Sequence, residues 1–197
     1  MNVILLSGGM DSTLALFWAK KHMDKLLALT FSYGQVHSRE VSAATEVALI
    51  AQVPQLINVI DAALTVPPEP GAVVPGRNLL FLAIASNLVA TQGGGKVIIG
   101  SCREDYEGFP DCRPEFFEAV NEMLRVSGVD AEVVTPLVHK TKAEALEEIG
   151  QDPDVLRALA LSHSCYKGLK KPCGECGACT YRQEAFNEAG ISDPLCS

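Results

Sequence analysis

The chain has 197 residues, 48% of them apolar, and carries a net charge of −8. That length suits one substantial core with a small appendage, not two full domains, and a charged fraction of only 20% excludes a disordered chain. The negative balance argues against a protein that coats nucleic acid or an anionic membrane, since both need a large positive field.

Asn2 to Leu6 is a short branched apolar run that stops at Ser7-Gly8-Gly9, after which Leu14, Phe17 and Trp18 fall at helical spacing. This reads as strand, glycine turn, helix. Leu26 to Phe31 and Leu56 to Ile60 read as two more strands, with a helix from Ser38 to Gln52 between them. A proline-rich loop, Asp61 to Gly76, follows, long enough for a functional lid. Next come a buried helix over Leu79 to Thr91 and a strand over Lys96 to Gly100. Pro114 opens a helix with Phe116, Val120, Met123 and Leu124 on one face, and Gly128 follows its end. Glu132 to Thr135 suits a fifth strand, and Thr141 with Glu144 has capping-box spacing before a further helix. Continuous apolar strands alternating with helices predict an α/β fold, an open parallel sheet with helices on both faces. The expected division is residues 1–150 as the α/β domain and 151–197 as an appendage organised by cysteine. No run approaches the roughly 20 apolar residues of a membrane span, and the start has no basic, signal-like character, so a cytoplasmic protein is expected.

The stretch Ser7, Gly8, Gly9, Met10, Asp11, Ser12, Thr13 lies where strand hands over to helix. Glycines permit close backbone approach, free amides and the helix dipole attract an anion, and three hydroxyls add donors. The bland alternative is a tight turn with Asp11 as a helix cap. Neither a lysine-containing mononucleotide loop nor a GxGxxG dinucleotide loop fits. Cys165, Cys173, Cys176 and Cys179 have the spacing C-x7-C-x2-C-x2-C, which suits four thiolates around Zn²⁺ in a closed structural site, with an iron–sulfur cluster as the rival. Nearby Lys167, Lys170 and Lys171 are placed to offset thiolate charge. Cys102, Cys112 and Cys196 are left over and read as ordinary small side chains.

The Ser7 loop resembles the SGGxDS loop of the ATP pyrophosphatase superfamily. With the segments around Tyr33–Glu40, Val74–Asn78 and Phe109–Phe116 and the cysteine cluster, nearly the whole chain resembles the 7-cyano-7-deazaguanine synthase family of the queuosine pathway. The resemblance implies a carbon–nitrogen ligase. It would take 7-carboxy-7-deazaguanine, ammonia and ATP to the nitrile through adenylated intermediates, releasing AMP and pyrophosphate, with Mg²⁺ organised partly by Asp11 and with no stable nucleic-acid or membrane partner. A homodimer is likewise implied. Arg77 and Arg113 are cations able to grip carboxylate or phosphate, Asn78 lies beside the first, and Asp111 and Glu115 are acceptors for the base's N–H edge. Lys140 is placed to neutralise a transferring phosphate, and His37 is a candidate proton carrier. The competing readings are surface salt bridges for the arginines, dipole-favoured helix starts for the acids, and a capping or surface group for His37. Rival functions are a relative that stops at the amide, a tRNA-thiolating enzyme using Cys102 or Cys112, and a non-catalytic nucleotide-binding module.

Overall fold

A computed structural model of the chain describes residues 1–34, 39–60, 73–169 and 171–195. Five strands form one sheet: β1 (Asn2–Leu5), β2 (Leu26–Ser32), β3 (Gln55–Val59), β4 (Lys96–Ile98) and β5 (Glu132–Val134). Their spatial order is β3-β2-β1-β4-β5 and every pairing is parallel. The chain leaves β1 toward one edge through β2 and β3, then crosses back to add β4 and β5 on the other side. The carboxyl ends of β1 and β4 therefore flank a topological switch point, where open α/β sheets bind ligands.

Side chains alternate across β1, and each face has its own core. Ile4 and Leu6 face a cluster with α1 (Met10–His22) and α2 (Arg39–Ala51), in which Leu14, Leu16, Ala44 and Val47 are buried. Val3 and Leu5 face α3 (Arg77–Thr91) and α4 (Pro114–Val126), which bury Leu82, Ala85, Val89, Phe117, Val120 and Leu124. The expected α/β architecture is thus present.

Local differences have local causes. Helix α3 starts at Arg77, two residues before the expected Leu79, because Gly76 takes the left-handed conformation (φ +73°) that lets the chain turn into it. Arg77 and Asn78 consequently sit on the first turn of α3. On α4 the buried stripe is Phe117, Val120 and Leu124, whereas Met123 is 40% exposed and Phe116 only half-buried. A stripe through 117, 120 and 124 keeps the i, i+3, i+7 spacing, and the helix is rotated about one residue from expectation.

After β5, Thr141 and Glu144 form the expected reciprocal cap, 3.1 and 2.7 Å, at the start of α5 (Lys142–Ile149). Asp152 caps α6 (Pro153–Leu161), whose Pro153 costs no hydrogen bond in the first turn. Helix α7 (Gly177–Glu188) follows the cysteine loop. Val155, Ala158 and Leu159 of α6 and Ala185 and Phe186 of α7 enter the same cluster as α1 and α2, so the C-terminal segment contributes to the main core. Of the proline-rich loop, residues 61–72 lie outside the described residues, as do Cys196 and the Gln35–Ser38 segment with His37. No helix among the described residues is long and apolar enough to cross a membrane.

Candidate active site and metal centre

The loop after β1 is held where only glycine fits. Gly8 has φ +90°, and a Cβ there would lie 2.4 Å from the Glu40 carbonyl oxygen and 2.6 Å from the Ala44 nitrogen, inside α2. Gly9 precedes α1 and offers no side-chain cap. Ser12 Oγ donates to the Gly9 carbonyl at 3.0 Å and also meets Ser7 Oγ at 3.0 Å. Thr13, fully buried, spends its hydroxyl on the Gly9 carbonyl at 2.8 Å. The Met10 amide donates to Ser164 Oγ at 3.0 Å, and the His163 amide donates to the Gly8 carbonyl at 2.8 Å. Across from the loop Gly100 follows β4, so close that a Cβ would lie 2.5 Å from the Asp11 carbonyl oxygen.

At the junction of these two strand ends stands Lys142, whose side chain is 7% exposed. Its Nζ lies 2.9 Å from Asp11 and 3.0 Å from Asp105. Burial opposes its charge, yet the two carboxylates outweigh that and hold Lys142 well above the ordinary lysine range. Burial and the neighbouring Asp11 raise Asp105, partly offset by Lys142. Cys102 Sγ approaches Asp11 at 3.6 Å, and burial with that carboxylate pushes the thiol far up.

One cleft of about 350 Å³ joins this charged corner to an apolar one. Phe31 and Phe81 stack there at 4.1 Å between centroids, with Tyr33 edge-on to Phe81 at 5.3 Å. Arg77 Nη1 donates to the Tyr33 hydroxyl at 3.3 Å; burial opposes its charge, but Tyr33, Asp111 and Glu40 raise it overall. Burial lifts Glu40 above the usual carboxylate range despite Arg77. Asn78 Nδ2 donates to the Asp111 carbonyl at 3.4 Å, and Cys112 lines the same wall with its thiol pushed up to about 12 by burial.

The cleft therefore brings together Ser7, Gly9, Met10, Asp11 and Ser12 with Arg77, Asn78 and Asp111. Gly8 and Thr13 stand behind the loop. Arg113 is exposed, its Nε bound to the Tyr106 carbonyl at 2.9 Å, and neither it nor exposed Glu115 lines the cleft. Lys140 also lies outside it, paired with Glu148 of α5. Sequence reasoning passed over Lys142, Asp105, Glu40 and Ser164. The Thr141 cap places Lys142 at the first helical position, but long-range packing decides that it, and not Lys140, enters the cleft. Asp105, Glu40 and Ser164 carry no local signature, because long-range packing alone delivers them.

The four cysteine sulfurs Cys165, Cys173, Cys176 and Cys179 all lie within 4.8 Å of one another. Two of the separations are 3.9 and 3.5 Å, and a tetrahedron with arms of about 2.3 Å has edges of about 3.8 Å. The Cys173 amide donates to Cys165 Sγ at 3.4 Å and the Cys176 amide to Cys173 Sγ at 3.3 Å, as thiolates in a knuckle require. The donor set thus fits a metal and is closed. Lys167 pairs with Glu175, so its charge is shared with that carboxylate, and Lys170 lies outside the described residues.

Among solved structures, the chain is similar to the NMN synthetase of Francisella tularensis, 19% identical with a TM-score of 0.55, covering 97% of this chain and 77% of that one. A 4-thiouridine synthetase in complex with RNA and ATP is 15% identical, TM-score 0.55, covering 96% of this chain and 50% of that one. Both likenesses support the fold. Closer in sequence is the 7-cyano-7-deazaguanine synthase of Chromobacterium violaceum, 40% identical over 98% of this chain and 92% of that protein. The 7-cyano-7-deazaguanine synthase 2 of Desulfitobacterium hafniense strain Y51 is 38% identical over 98% and 91%. The family model for queuosine biosynthesis protein QueC matches residues 1–190, and the chain belongs to that family.

Proposed function

We propose that the chain is an ATP-dependent nitrile synthase that turns 7-carboxy-7-deazaguanine and ammonia into 7-cyano-7-deazaguanine. The observation that carries this reading is its near-full-length likeness to relatives bearing the name 7-cyano-7-deazaguanine synthase. The cleft agrees, because one cavity joins an anion-binding loop to an aromatic wall with an arginine and two acids. A carboxylate is a poor electrophile: its charge is delocalised and oxide is its leaving group. An oxygen of the acid attacks the α-phosphorus of ATP, the bond to the β-phosphate oxygen breaks, and pyrophosphate leaves. Ammonia then displaces AMP and loses a proton, giving the amide. A second adenylation, on the amide oxygen, again releases pyrophosphate; loss of AMP carrying that oxygen and of both protons from nitrogen then gives the nitrile. The sum makes the enzyme a carbon–nitrogen ligase.

In this reading Ser7, Gly9, Met10, Asp11 and Ser12 cradle the pyrophosphate end, and Lys142 compensates charge that develops on the transferring phosphate. Phe81 and Tyr33 flank the planar base, Arg77 faces its carboxylate, and Asp111 and Glu40 accept from its N–H edge. Mg²⁺, whose ligands are hard oxygens, is matched by Asp11 and Asp105 and would supply charge neutralisation on the phosphates. Zn²⁺ is the ion for the four cysteines and takes no part in the chemistry, since a closed set leaves no place for substrate. The enzyme works in the cytoplasm as a homodimer.

A thiol-transfer reaction fits less well, because Cys102 is buried with its thiol raised and Cys112 sits at about 12; neither forms a ready thiolate. Mass spectrometry of the product after incubation with the acid, ATP and ammonium tests the reading. The nitrile is expected; the amide as sole product would reassign the chain to amide formation.

A further inference from the structure

Within the phosphate loop, the Ser12 and Thr13 hydroxyls hold the Gly9 carbonyl but leave the Gly8 carbonyl and the Met10 amide to partners from elsewhere. Two adjacent glycines cost conformational entropy to fix, and Gly9 gives α1 no cap. That carbonyl and that amide are fastened by the C-terminal segment: the His163 amide donates to the Gly8 carbonyl at 2.8 Å, and Ser164 Oγ accepts from the Met10 amide at 3.0 Å. The next residue is Cys165, a member of the four-cysteine cluster. The same segment is pinned from behind. Arg182 donates to Ser162 Oγ at 2.7 Å and to the Leu159 carbonyl at 2.9 Å, and grips Asp193 through two bonds of 2.7 and 2.8 Å. Arg182 lies one turn after Cys179 on α7, so one helix carries both a metal ligand and the brace.

We propose that Ser164 is a positioning residue that ties the phosphate loop to the metal centre, so that nucleotide affinity and metal retention are coupled. The inference rests on the reading of the Ser7–Thr13 loop as the nucleotide site. By taking the Met10 amide, Ser164 fixes the first turn of α1 and directs the loop's remaining donors at the ligand. By sharing a strand of backbone with Cys165, it passes the order imposed by the metal to that turn. Reciprocity follows from linkage: what the metal does for the nucleotide, the nucleotide does for the metal.

The test uses the metal-loaded full chain and α,β-methylene-ATP, which cannot be cleaved at the α–β bond. Isothermal titration gives nucleotide affinity, and equilibrium competition with a chromogenic chelator gives metal affinity. Ser164→Ala is expected to weaken analogue binding and raise KM for ATP about tenfold, the scale of one lost hydrogen bond. The KM for the acid substrate and the metal content should stay at wild-type values, and Ser164→Thr, which keeps the hydroxyl, should restore affinity. In the wild type the analogue should tighten metal affinity about tenfold, and in Ser164→Ala it should not. Wild-type affinity in Ser164→Ala would overturn the proposal, as would metal loss in that variant, failure of Ser164→Thr to restore binding, or a metal affinity that ignores bound nucleotide in the wild type. A wild-type chain that binds no nucleotide at all would instead overturn the phosphate-loop reading.

Discussion

Lys142, buried, and Glu40, half-buried, place two charged side chains in the cleft. Lys142 stands between Asp11 and Asp105, and removing one partner of a buried ionic cluster leaves the others uncompensated. Lys142→Met is therefore expected to lose roughly 3–5 kcal/mol of stability by urea unfolding. Acid-dependent AMP release should fall at least about 100-fold, the scale seen when one preorganised donor to developing charge is removed. Glu40 is held above its ordinary range by burial, so the native state binds its proton more tightly than the unfolded chain does. Its contribution to stability is intact below about pH 4.5 and falls as pH rises through the folded-state value. Glu40→Gln should accordingly raise the melting temperature at pH 7, with the gain fading as the pH approaches 4.5, while KM for the acid substrate rises. A melting curve unchanged at neutral pH would show that Arg77 already compensates the carboxylate in full.

At the scale of elements, caps and turns set where the charged side chains stand. The Thr141–Glu144 box starts α5 one residue before Lys142. Thr141→Ala should cost about 1 kcal/mol in thermal or urea unfolding. KM for ATP should shift little, because Lys142 keeps both of its carboxylate partners. Much of this level was legible in the sequence. Branched runs predicted all five strands, Pro114 marked the start of α4, and S/T-x-x-E spacing marked α5. The start of α3 and the rotation of α4 were not, since the first depends on the backbone of Gly76 and the second on which helix face meets the sheet. Lys140 and Lys142 illustrate the limit. Both are lysines near one helix start, and only packing decides that the first pairs with Glu148 while the second enters the cleft.

For the molecule as a whole, the C-terminal segment is part of the machine and not a trailing tag. Phe186 of α7 is 2% exposed within the cluster that backs the Ser7 loop, and Ala178, Tyr181 and Arg182 of the same helix line the cleft. Cys176→Ser should therefore lose metal and soluble protein together, measured as metal stoichiometry and as yield in the soluble fraction. A folded Cys176→Ser variant that still bound nucleotide as tightly as the wild type but lacked activity would mean that the metal acts in the chemistry. Cysteine spacing disclosed the four-cysteine cluster, a donor set able to hold a metal, because four thiols within fifteen residues are a local pattern. The bonds from His163 and Ser164 to the loop span more than 150 residues, and no local pattern encodes them. The most direct test follows the nucleotide products in the presence of the deazaguanine acid and ammonium. AMP and pyrophosphate, formed only when the acid is present, are expected; ADP and orthophosphate would contradict a loop that holds the β- and γ-phosphates as a leaving group.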